Sequence, residues 1–448
     1  MPLPANFPDA SICVLGLGYV GLTLAVAMAD TGFRVHGIEV RDDVLTRLAA
    51  GEPHFWEPRL REKLQRVIEA GRLTFSRETS PGFDASVFVI TVGTPLDPHG
   101  AARLDMVRQA TRQLLPAMRP GALVILRSTV KLGTARGVVR PILDEHGSDY
   151  MLAMCPERTL EGRALIELHE LPQIIGADDE ATRSRCQMLF GRLTPTTVAL
   201  SSLEAAEMVK LIDNTYRDVH FAFANEVATV CGAAGLSATE VIRAGRLGYP
   251  RTNVARPGPV GGPCLEKDPH ILIESAQAYG VTLPITAASR LTNERQPAQS
   301  IALLRQRTSA MTSFAPSPRV ALLGLAFKGA PATDDLRGSM ARPILAALRA
   351  AYPTATILGF DAAADAAETA IAFDIEIAAT IETAFDAADI VVIANNHDAF
   401  ARMDISSMMR RMARPSVVYD FWNLFDDVDA DPAADRVYIG LGSENFGR

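Results

Sequence analysis

Residues 12–21 read Ile12-Cys13-Val14-Leu15-Gly16-Leu17-Gly18-Tyr19-Val20-Gly21, an apolar run followed by three closely spaced glycines. A helical stretch over residues 22–30 comes next, and Gly32 is placed to end it. This order of strand, glycine turn and helix is typical of a dinucleotide-binding domain. The first glycine permits the tight turn, the second lets backbone approach a pyrophosphate, and the third lets the helix pack on the strand. The stretch predicts an α/β fold with a doubly wound parallel sheet.

The second predicted strand covers residues 34–38 and ends in Glu39. An acid at this position accepts hydrogen bonds from both ribose hydroxyls and repels a 2′-phosphate, so NAD is favoured over NADP. Arg41 follows two residues later and could bind a 2′-phosphate, so NADP stays open as the alternative cofactor.

Two further apolar runs, residues 85–92 and 122–126, predict parallel strands that are buried on both faces. Thr94 and Thr129 follow them, where loops line the cofactor crevice of such a sheet. Either threonine is equally well placed as a helix cap or a turn residue.

Length and composition indicate a globular enzyme of two or three domains. The chain has 448 residues, 48% of them apolar and 21% charged, and a net charge of −8 without long blocks of one sign. We expect no nucleic-acid partner, because the net charge is negative and spread along the chain. We also expect no membrane segment and a cytoplasmic location, because no basic leader or apolar stretch of spanning length is present. The five cysteines are scattered without the paired spacing of a metal site, so reduced thiols and no bound metal are expected.

From residue 201 the pattern changes to long helices. Ser201 and Glu204 have the spacing of a capping box. An apolar stripe follows at helical spacing, formed by Val209, Ile212, Tyr216, Val219 and Phe223, whereas Lys210, Asn214 and Arg217 share another face. A lysine on a helix is usually solvated, so Lys210 alone indicates surface more than catalysis. Helices are also predicted over residues 269–279 and 285–307, with a kink at Pro297.

A linker near residues 311–318 precedes a new strand at residues 319–323. We therefore predict a dinucleotide-binding domain over residues 1–200, a central helical domain over 201–310 and a C-terminal α/β domain over 311–448. In the first turn of the third domain Ala326 stands where a second fingerprint glycine would lie, so no second dinucleotide site is predicted.

A cysteine lies in the run Gly258-Pro259-Val260-Gly261-Gly262-Pro263-Cys264-Leu265-Glu266-Lys267-Asp268. A dinucleotide-binding domain together with a thiol on a glycine turn suggests an oxidoreductase that forms a covalent sulfur adduct. The alternative is a buried structural thiol, which fits a glycine-rich turn poorly. Asp268 precedes Pro269 at a predicted helix start, so it is also read as an N-cap.

Several separate motifs now coincide. They are the Gly16 to Gly21 fingerprint, Pro156-Glu157-Arg158 with Glu161-Gly162, the helix from Lys210 to Asn214, the Gly261 to Cys264 turn with Asp268, and Gly324-Leu325-Ala326-Phe327-Lys328 with Asp334-Asp335-Leu336-Arg337. In order and spacing they resemble the nucleotide-sugar 6-dehydrogenases, a family that includes UDP-glucose, GDP-mannose and UDP-N-acetylhexosamine dehydrogenases. The resemblance implies two Rossmann-like domains around a central helical domain, one binding NAD and the other a UDP-sugar, in a homodimer.

The resemblance also implies a reaction and a set of site residues. The C6 alcohol of the sugar becomes a carboxylate in two oxidations with two NAD molecules, through a thiohemiacetal and a thioester on Cys264. The catalytic residues implied are Cys264, Lys210, Asn214, Asp268, Glu157 and Thr129. The cofactor-binding residues implied are Gly16, Gly18, Tyr19, Val20, Gly21, Glu39, Thr94, Thr129, Glu161 and Arg337. The substrate-binding residues implied are Glu157, Arg158, Lys210, Asn214, Arg251, Asn253, Gly261, Leu265 and Lys328.

Substrate choice rests on smaller likenesses. Residues 155–158, 217–226 and 251–254 look more like the UDP-N-acetylmannosamine and UDP-N-acetylglucosamine enzymes. Pro263 in a shortened turn and Trp422 in place of an arginine depart from that pattern, and Lys267-Asp268 looks more like the glucose and mannose branches. UDP-glucose or GDP-mannose oxidation is the alternative of the same class. A single-step hydroxyacid dehydrogenase and a non-catalytic nucleotide-sugar sensor are the alternatives of other classes.

Overall fold

The computed structural model describes residues 3–4, 6–79, 84–425, 428 and 435–443. The chain forms two compact units. The N-terminal unit comprises Met1–Asp213 and His270–Thr282, and the C-terminal unit comprises Asn214–Pro269 and Leu283–Arg448. The three domain boundaries drawn from the sequence stay predictions.

The N-terminal unit is built on an eight-stranded sheet in the order β3-β2-β1-β4-β5-β6-β7-β8. All neighbouring strands are parallel except β6 and β7, which pair antiparallel through Met154 and Gly176. The strands are β1 Ser11–Leu15, β2 Arg34–Ile38, β3 Leu73–Ser76, β4 Val87–Ile90, β5 Ala122–Leu126, β6 Tyr150–Met154, β7 Gln173–Gly176 and β8 Thr197–Leu200. Its helices are α1 Tyr19–Thr31, α2 Asp42–Ala49, α3 Leu60–Glu69, α4 Asp105–Leu114, α5 Arg140–Asp144, α6 Ala164–Glu170 and α7 Glu180–Phe190.

The central strands of this sheet are buried on both faces. Every residue of β4 and β5 is buried, and separate apolar clusters pack on the two sides. Gly32 ends α1 with φ 116°, a left-handed conformation that glycine adopts without strain. The predicted parallel α/β fold is confirmed in this unit.

Five helices follow in the middle of the chain. They are α8 Leu203–Ala234, α9 Ala238–Arg246, α10 Gly262–Leu265, α11 Asp268–Gln277 and α12 Pro284–Ala310, and Pro297 lies inside α12. In the described part of the chain, no helix is both long enough and apolar enough to cross a membrane.

The sequence predictions for α8 need two corrections. The helix begins at Leu203, and the Ser202 hydroxyl, not Ser201, accepts the N–H of Ala205 at 3.2 Å. The predicted apolar stripe faces outward, since Tyr216 is 66% and Phe223 53% exposed. Two residues of the predicted polar face, Lys210 and Asn214, are buried instead, whereas the third, Arg217, is exposed.

The C-terminal unit has a six-stranded, all-parallel sheet in the order β11-β10-β9-β12-β13-β14. Its strands are β9 Arg319–Leu323, β10 Thr356–Phe360, β11 Glu376–Ile377, β12 Ile390–Ile393, β13 Ser416–Asp420 and β14 Arg436–Gly440. Its remaining helices are α13 Ala341–Ala351, α14 Ala366–Phe373, α15 Ile381–Phe385, α16 Asp398–Ala401 and α17 Ile405–Arg411. A second parallel sheet after the central helices agrees with the predicted fold class.

Candidate active site

The glycine turn between β1 and α1 has the geometry of a phosphate cradle. Gly16 has φ 90°, and a Cβ on Gly21 would lie 1.8 Å from the Gly16 carbonyl oxygen. A Cβ on Gly18 would meet nothing within 4 Å, and no side chain caps the α1 N-terminus there. The first N–H groups of α1, which begins with Tyr19 and Val20, are therefore open to an anionic group.

Glu39 lies at the end of β2, beside this turn. Its Oε2 accepts the N–H of Leu17 at 3.0 Å and its Oε1 accepts the N–H of Arg41 at 3.0 Å. Each carboxylate oxygen keeps a lone pair for a ribose hydroxyl. The exposed Arg41 guanidinium pairs with Asp43, and this hydrogen bond is the largest cause that raises the pKa of Arg41. The residues present fit NAD, since the nearby arginine already has a carboxylate partner.

Tyr19 belongs to a buried cluster that the sequence analysis missed. Its hydroxyl donates to Glu57, which is 5% exposed, and the N–H of Gly162 donates to the same Glu57 oxygen at 2.7 Å. Burial and the Glu57 hydrogen bond raise the pKa of Tyr19, and the nearby Glu161 carboxylate adds to the effect. Glu57 is hard to find from sequence because its partners lie 38 and 105 positions away.

Thr94 and Thr129 follow β4 and β5 and lie together. The Thr94 hydroxyl donates to the Thr129 carbonyl oxygen at 2.5 Å. Thr94 is buried, whereas Thr129 is partly exposed. This hydrogen bond ties the loops after two neighbouring strands, so Thr94 has a structural role whatever else it contacts.

Glu157 forms a buried ion pair with Arg127, another residue that the sequence analysis missed. Arg127 Nε lies 3.1 Å from Glu157 Oε2, and its Nη2 donates to the same oxygen. The other Glu157 oxygen accepts the N–H groups of Arg158 at 2.7 Å and Thr159 at 2.8 Å. Arg127 is 2% exposed, and an arginine buried this deeply is almost always paired with an anionic group.

The electrostatics keep Glu157 ionised. Burial alone would raise the pKa of this carboxyl, but the charge of Arg127, the N–H of Thr159 and the charge of Lys210 together hold it below its usual value. Glu157 is therefore an anion at neutral pH that accepts hydrogen bonds well and takes up a proton poorly.

Lys210 is on the inward face of α8, only 7% exposed. Its charge acts on Glu157, so the structure brings these two predicted site residues near each other in the N-terminal unit. Arg158 has protein partners, since its Nη2 donates to the Pro172 carbonyl at 2.6 Å and its Nη1 lies 3.5 Å from Asp213.

Cys264 lies on α10 in the C-terminal unit and is exposed, whereas the other four cysteines are buried. A Cβ on Gly261 would lie 2.4 Å from the Gly338 carbonyl oxygen, and one on Gly262 would lie 2.4 Å from the Phe327 ring. The N–H of Gly262 donates to Gly338 at 2.8 Å. Two glycines thus let the thiol-bearing turn pack closely on the loops of the second sheet.

Asn214 and Asp268 meet in the same unit. Asn214 Nδ2 donates to Asp268 Oδ2 at 2.5 Å, and Lys267 Nζ lies 2.7 Å from Asp268 Oδ1. Asp268 is the first residue of α11 and is 1% exposed. The carboxylate of Asp268 pairs with Asn214 and Lys267, and the reading of Asp268 as an N-cap stays a prediction.

The predicted substrate contacts of this unit are spread more widely. Leu265 is buried, and its carbonyl accepts from Arg290 at 3.0 Å. Lys328 Nζ lies 5.3 Å from the centre of the Phe327 ring. Arg337, which the resemblance assigns to the cofactor and not to the substrate, is in this unit too and pairs with Asp335. The exposed Arg251 stacks on Tyr249, and the Asn253 carbonyl contacts His220.

Comparison with known proteins gives three domain matches, all within one family. Models of the UDP-glucose/GDP-mannose dehydrogenase family match residues 10–194 as the NAD-binding domain, 204–295 as the central domain and 321–427 as the UDP-binding domain.

Individual relatives are similar over nearly the whole chain. The UDP-N-acetyl-D-mannosamine dehydrogenase of Pyrococcus horikoshii is 31% identical over 96% of this chain and 99% of its own length. The solved structure of the UDP-D-ManNAc dehydrogenase from that organism has a TM-score of 0.86, at 30% identity, and covers 97% of this chain and 100% of its own. A UDP-glucose dehydrogenase from Pyrobaculum islandicum has a TM-score of 0.85, at 29% identity, and covers 98% of this chain and 99% of its own.

Proposed function

The chain belongs to the UDP-glucose/GDP-mannose dehydrogenase family, and from that premise we propose that it oxidises the C6 alcohol of UDP-N-acetylmannosamine or UDP-N-acetylglucosamine to the uronic acid. Membership makes it an NAD-dependent oxidoreductase acting on CH–OH. The observation that carries the proposed mechanism is Cys264, an exposed thiol on a turn whose two glycines pack against Gly338 and Phe327.

A thiol solves the chemical problem of the second oxidation. NAD, when bound, accepts one hydride from C6 in each of the two oxidations. An aldehyde yields its hydrogen as hydride only after a nucleophile has added to the carbonyl carbon. The Cys264 thiolate forms a C–S bond to that carbon, the carbonyl electron pair moves to oxygen, and a thiohemiacetal results. Loss of hydride leaves a thioester, and attack by water breaks the C–S bond, releasing the acid and regenerating the thiol.

The thiolate and the oxyanions both need stabilisation. A thiol with a pKa near 8.5 is only about 3% ionised at pH 7. The family resemblance gives Lys210 and Asn214 the task of favouring negative charge at sulfur and oxygen. In other enzymes, removing one hydrogen-bond donor to an oxyanion costs about 3–4 kcal/mol of transition-state stabilisation. The burial of both residues in an interior face of α8 supports this assignment.

Three further residues would act on protons and water. Asp268 would serve as base or orient the attacking water, and its contacts with Asn214 and Lys267 support a carboxylate held in a fixed position. Glu157 and Thr129 would act around water during hydrolysis. The lowered pKa of Glu157 favours orientation of water over proton uptake.

The remaining predicted site residues are assigned to NAD or to the nucleotide sugar, as in the sequence analysis. Gly16, Gly18 and Gly21 with Glu39 would hold the pyrophosphate and ribose of NAD, together with Tyr19, Val20, Thr94, Glu161 and Arg337. Arg158, Arg251, Asn253, Gly261, Leu265 and Lys328 would hold the nucleotide sugar. Arginine suits a diphosphate because its guanidinium donates two parallel hydrogen bonds.

A homodimer is the assembly that we propose. Tyr216, Phe223 and Val230 lie seven residues apart on α8, and each is more than half exposed. An apolar row with this spacing is typical of helices that pair along their length, and a second copy of the chain is the partner that supplies the same row. A cytoplasmic location stays a prediction from the sequence. The family resemblance further implies a uronic acid product that feeds polysaccharide synthesis.

The substrate assignment has a specific rival. UDP-glucose is the substrate in the name of the Pyrobaculum islandicum relative, and Lys267-Asp268 favours the glucose and mannose branches. The test is turnover of purified protein with UDP-N-acetylmannosamine, UDP-N-acetylglucosamine, UDP-glucose and GDP-mannose in parallel. We expect the highest kcat/KM with one of the two acetylated sugars. A higher value with UDP-glucose or GDP-mannose would overturn the substrate assignment, and no turnover with any sugar would favour a sensor.

The thiol is tested by substitution. Cys264→Ser is expected to abolish acid formation and leave the Kd for NAD unchanged, because the fingerprint glycines belong to a different domain. Cys231→Ser, at one of the buried cysteines, is the matched control and is expected to keep activity. Full acid production by Cys264→Ser would rule out the covalent mechanism.

A further inference from the structure

Gly258 begins the segment that leads to Cys264, and one buried amide holds both of its backbone groups. Asn225 Oδ1 accepts the Gly258 N–H at 2.9 Å, and Asn225 Nδ2 donates to the Gly258 carbonyl at 3.1 Å. On another side, a Cβ at Gly258 would lie 3.1 Å from three ring atoms of Trp422. The position of this peptide is therefore set by Asn225 and Trp422 together.

Leu265, the residue after Cys264, is held in a similar way by a buried arginine. Arg290 Nη1 donates to the Leu265 carbonyl at 3.0 Å and to Asp218 Oδ1 at 2.5 Å. The peptide next to the thiol is thus tied to a buried ion pair between α8 and α12.

Asn293 joins these two anchors. Its Oδ1 accepts from Asn225 at 3.1 Å, and its Nδ2 donates to Asp218 Oδ1 at 2.9 Å. We call Asp218, Asn225, Arg290 and Asn293 the α8–α12 polar cluster, and residues 258–265 the thiol segment. One connected cluster therefore reaches the thiol segment at both ends, whereas Gly262 in its middle is bonded to Gly338.

Stability alone explains this cluster poorly. The side chains of Asp218 and Arg290 are 0% and 4% exposed. Burying an ion pair costs desolvation that the attraction often does not offset, and apolar residues of similar volume are often as stable. Hydrogen bonds within a buried network do fix geometry, because each group has one set of partners. What this geometry fixes is the backbone on either side of Cys264.

We propose that the α8–α12 polar cluster positions the Cys264 thiol for attack on the aldehyde by holding both ends of the thiol segment. This inference rests on the proposed function. Asn225 and Arg290 bond the thiol segment, and Asp218 and Asn293 connect these two residues. All four are positioning residues, because they act on the thiol through the segment and not on the reacting atoms. Misplacement on the order of 1 Å can cost about 100-fold in rate. A displaced thiol slows adduct formation, so aldehyde escapes before the second oxidation.

The experiment compares Asn225→Ala and Arg290→Gln with Thr308→Val. Thr308 is a fully buried residue of α12 whose hydroxyl bonds Tyr352 at 2.9 Å, so its loss removes a buried hydrogen bond of the same unit away from the thiol segment. NADH formed per sugar consumed is measured with hydroxylamine present to trap aldehyde. Acid-forming kcat, the KM for NAD and thermal unfolding are measured on the same preparations.

The wild-type chain and Thr308→Val are expected to give two NADH per sugar and no trapped aldehyde. Asn225→Ala and Arg290→Gln are expected to fall toward one NADH per sugar, with trapped aldehyde and about 10-fold to 100-fold lower acid-forming kcat. Their KM for NAD should stay within about twofold, since α1 and Glu39 are untouched. A merely structural defect lowers the active fraction and leaves the ratio at two.

Two NADH per sugar in both cluster variants, without aldehyde, would overturn the inference. Arg290→Gln leaves Asp218 without its charged partner, so the uncharged pair Asp218→Asn with Arg290→Gln is the second variant if the single one does not fold. Cys264→Ala is measured alongside. Two NADH from Cys264→Ala would sink the proposed mechanism itself, whereas a block in Cys264→Ala with unchanged ratios in the cluster variants would sink the positioning role alone.

Discussion

Gly18 and Gly21 belong to one turn, yet the space around each differs. A Cβ on Gly21 would lie 1.8 Å from a backbone oxygen, whereas one on Gly18 would meet nothing within 4 Å, and Gly18 has φ −64°. Gly18→Ala is therefore expected to unfold at the wild-type temperature but to bind NAD more weakly, because the Cβ points where the pyrophosphate approaches. Gly21→Ala is expected to lose about 1–3 kcal/mol of unfolding free energy or more.

Thermal unfolding and NAD titration separate the two effects. Each variant is the control for the other, since both add the same methyl group to the same turn. If Gly18→Ala is destabilised while Gly21→Ala is stable and binds NAD normally, the roles assigned to the two glycines are contradicted.

Single residues also show how far the sequence could lead. The glycines of both turns carry their own signal, because few residues tolerate such close approach. Arg127 and Glu57 carry none, since each is explained only by a partner brought from elsewhere in the chain. The reverse holds for Lys210, whose sequence pattern suggested a solvated charge and which the structure buries.

At the scale of elements, Glu207 links α8 to the start of the π-helical segment Ala135–Val139, which leads into α5. It is 1% exposed, and it accepts the N–H groups of Gly133 at 2.5 Å and Ala135 at 2.8 Å. Burial raises the pKa of Glu207 from 4.5 to about 7, although these N–H groups oppose the effect. The folded protein therefore holds a proton between about pH 4.5 and 7 that the unfolded chain has already released.

The free energy of unfolding is expected to fall as pH rises through this window and to level off above pH 7. The full change is on the order of 3 kcal/mol. Chemical unfolding at pH 5, 6, 7 and 8 measures it. Glu207→Gln should flatten the profile, and Glu204→Gln, one turn earlier and more exposed, should keep the slope. An unchanged slope in Glu207→Gln would assign the effect to another group.

Strand bounds could be predicted from the sequence, whereas the buried face of α8 could not. Strand β5 matches its predicted apolar run residue for residue, because a strand buried on both faces must be apolar throughout. Strand β2 also has its predicted bounds, although its first residue, Arg34, is exposed. The buried face of α8 differs from the predicted one, because Asn214 and Asp218 bond partners that lie far away in the sequence, Asp268 and Arg290. The cap of α8 shifted by one residue, from Ser201 to Ser202, within the usual uncertainty of helix ends.

At the scale of the whole molecule, the apolar row on α8 predicts a dimer. Phe223 is 53% exposed in the middle of that row. Phe223→Glu places a charge there and is expected to give a monomer by sedimentation or light scattering at micromolar concentration. Glu226→Gln, also exposed on α8, is the control and should stay dimeric. A dimer that survives Phe223→Glu would place the interface elsewhere.

The central claim is that one chain carries out both oxidations through Cys264. The most direct measurement is the number of NADH molecules formed for each uronic acid released by the purified wild-type protein with its preferred nucleotide sugar. The account predicts two NADH for each acid, with no aldehyde trapped by hydroxylamine. One NADH per sugar, with aldehyde as the product, would contradict it.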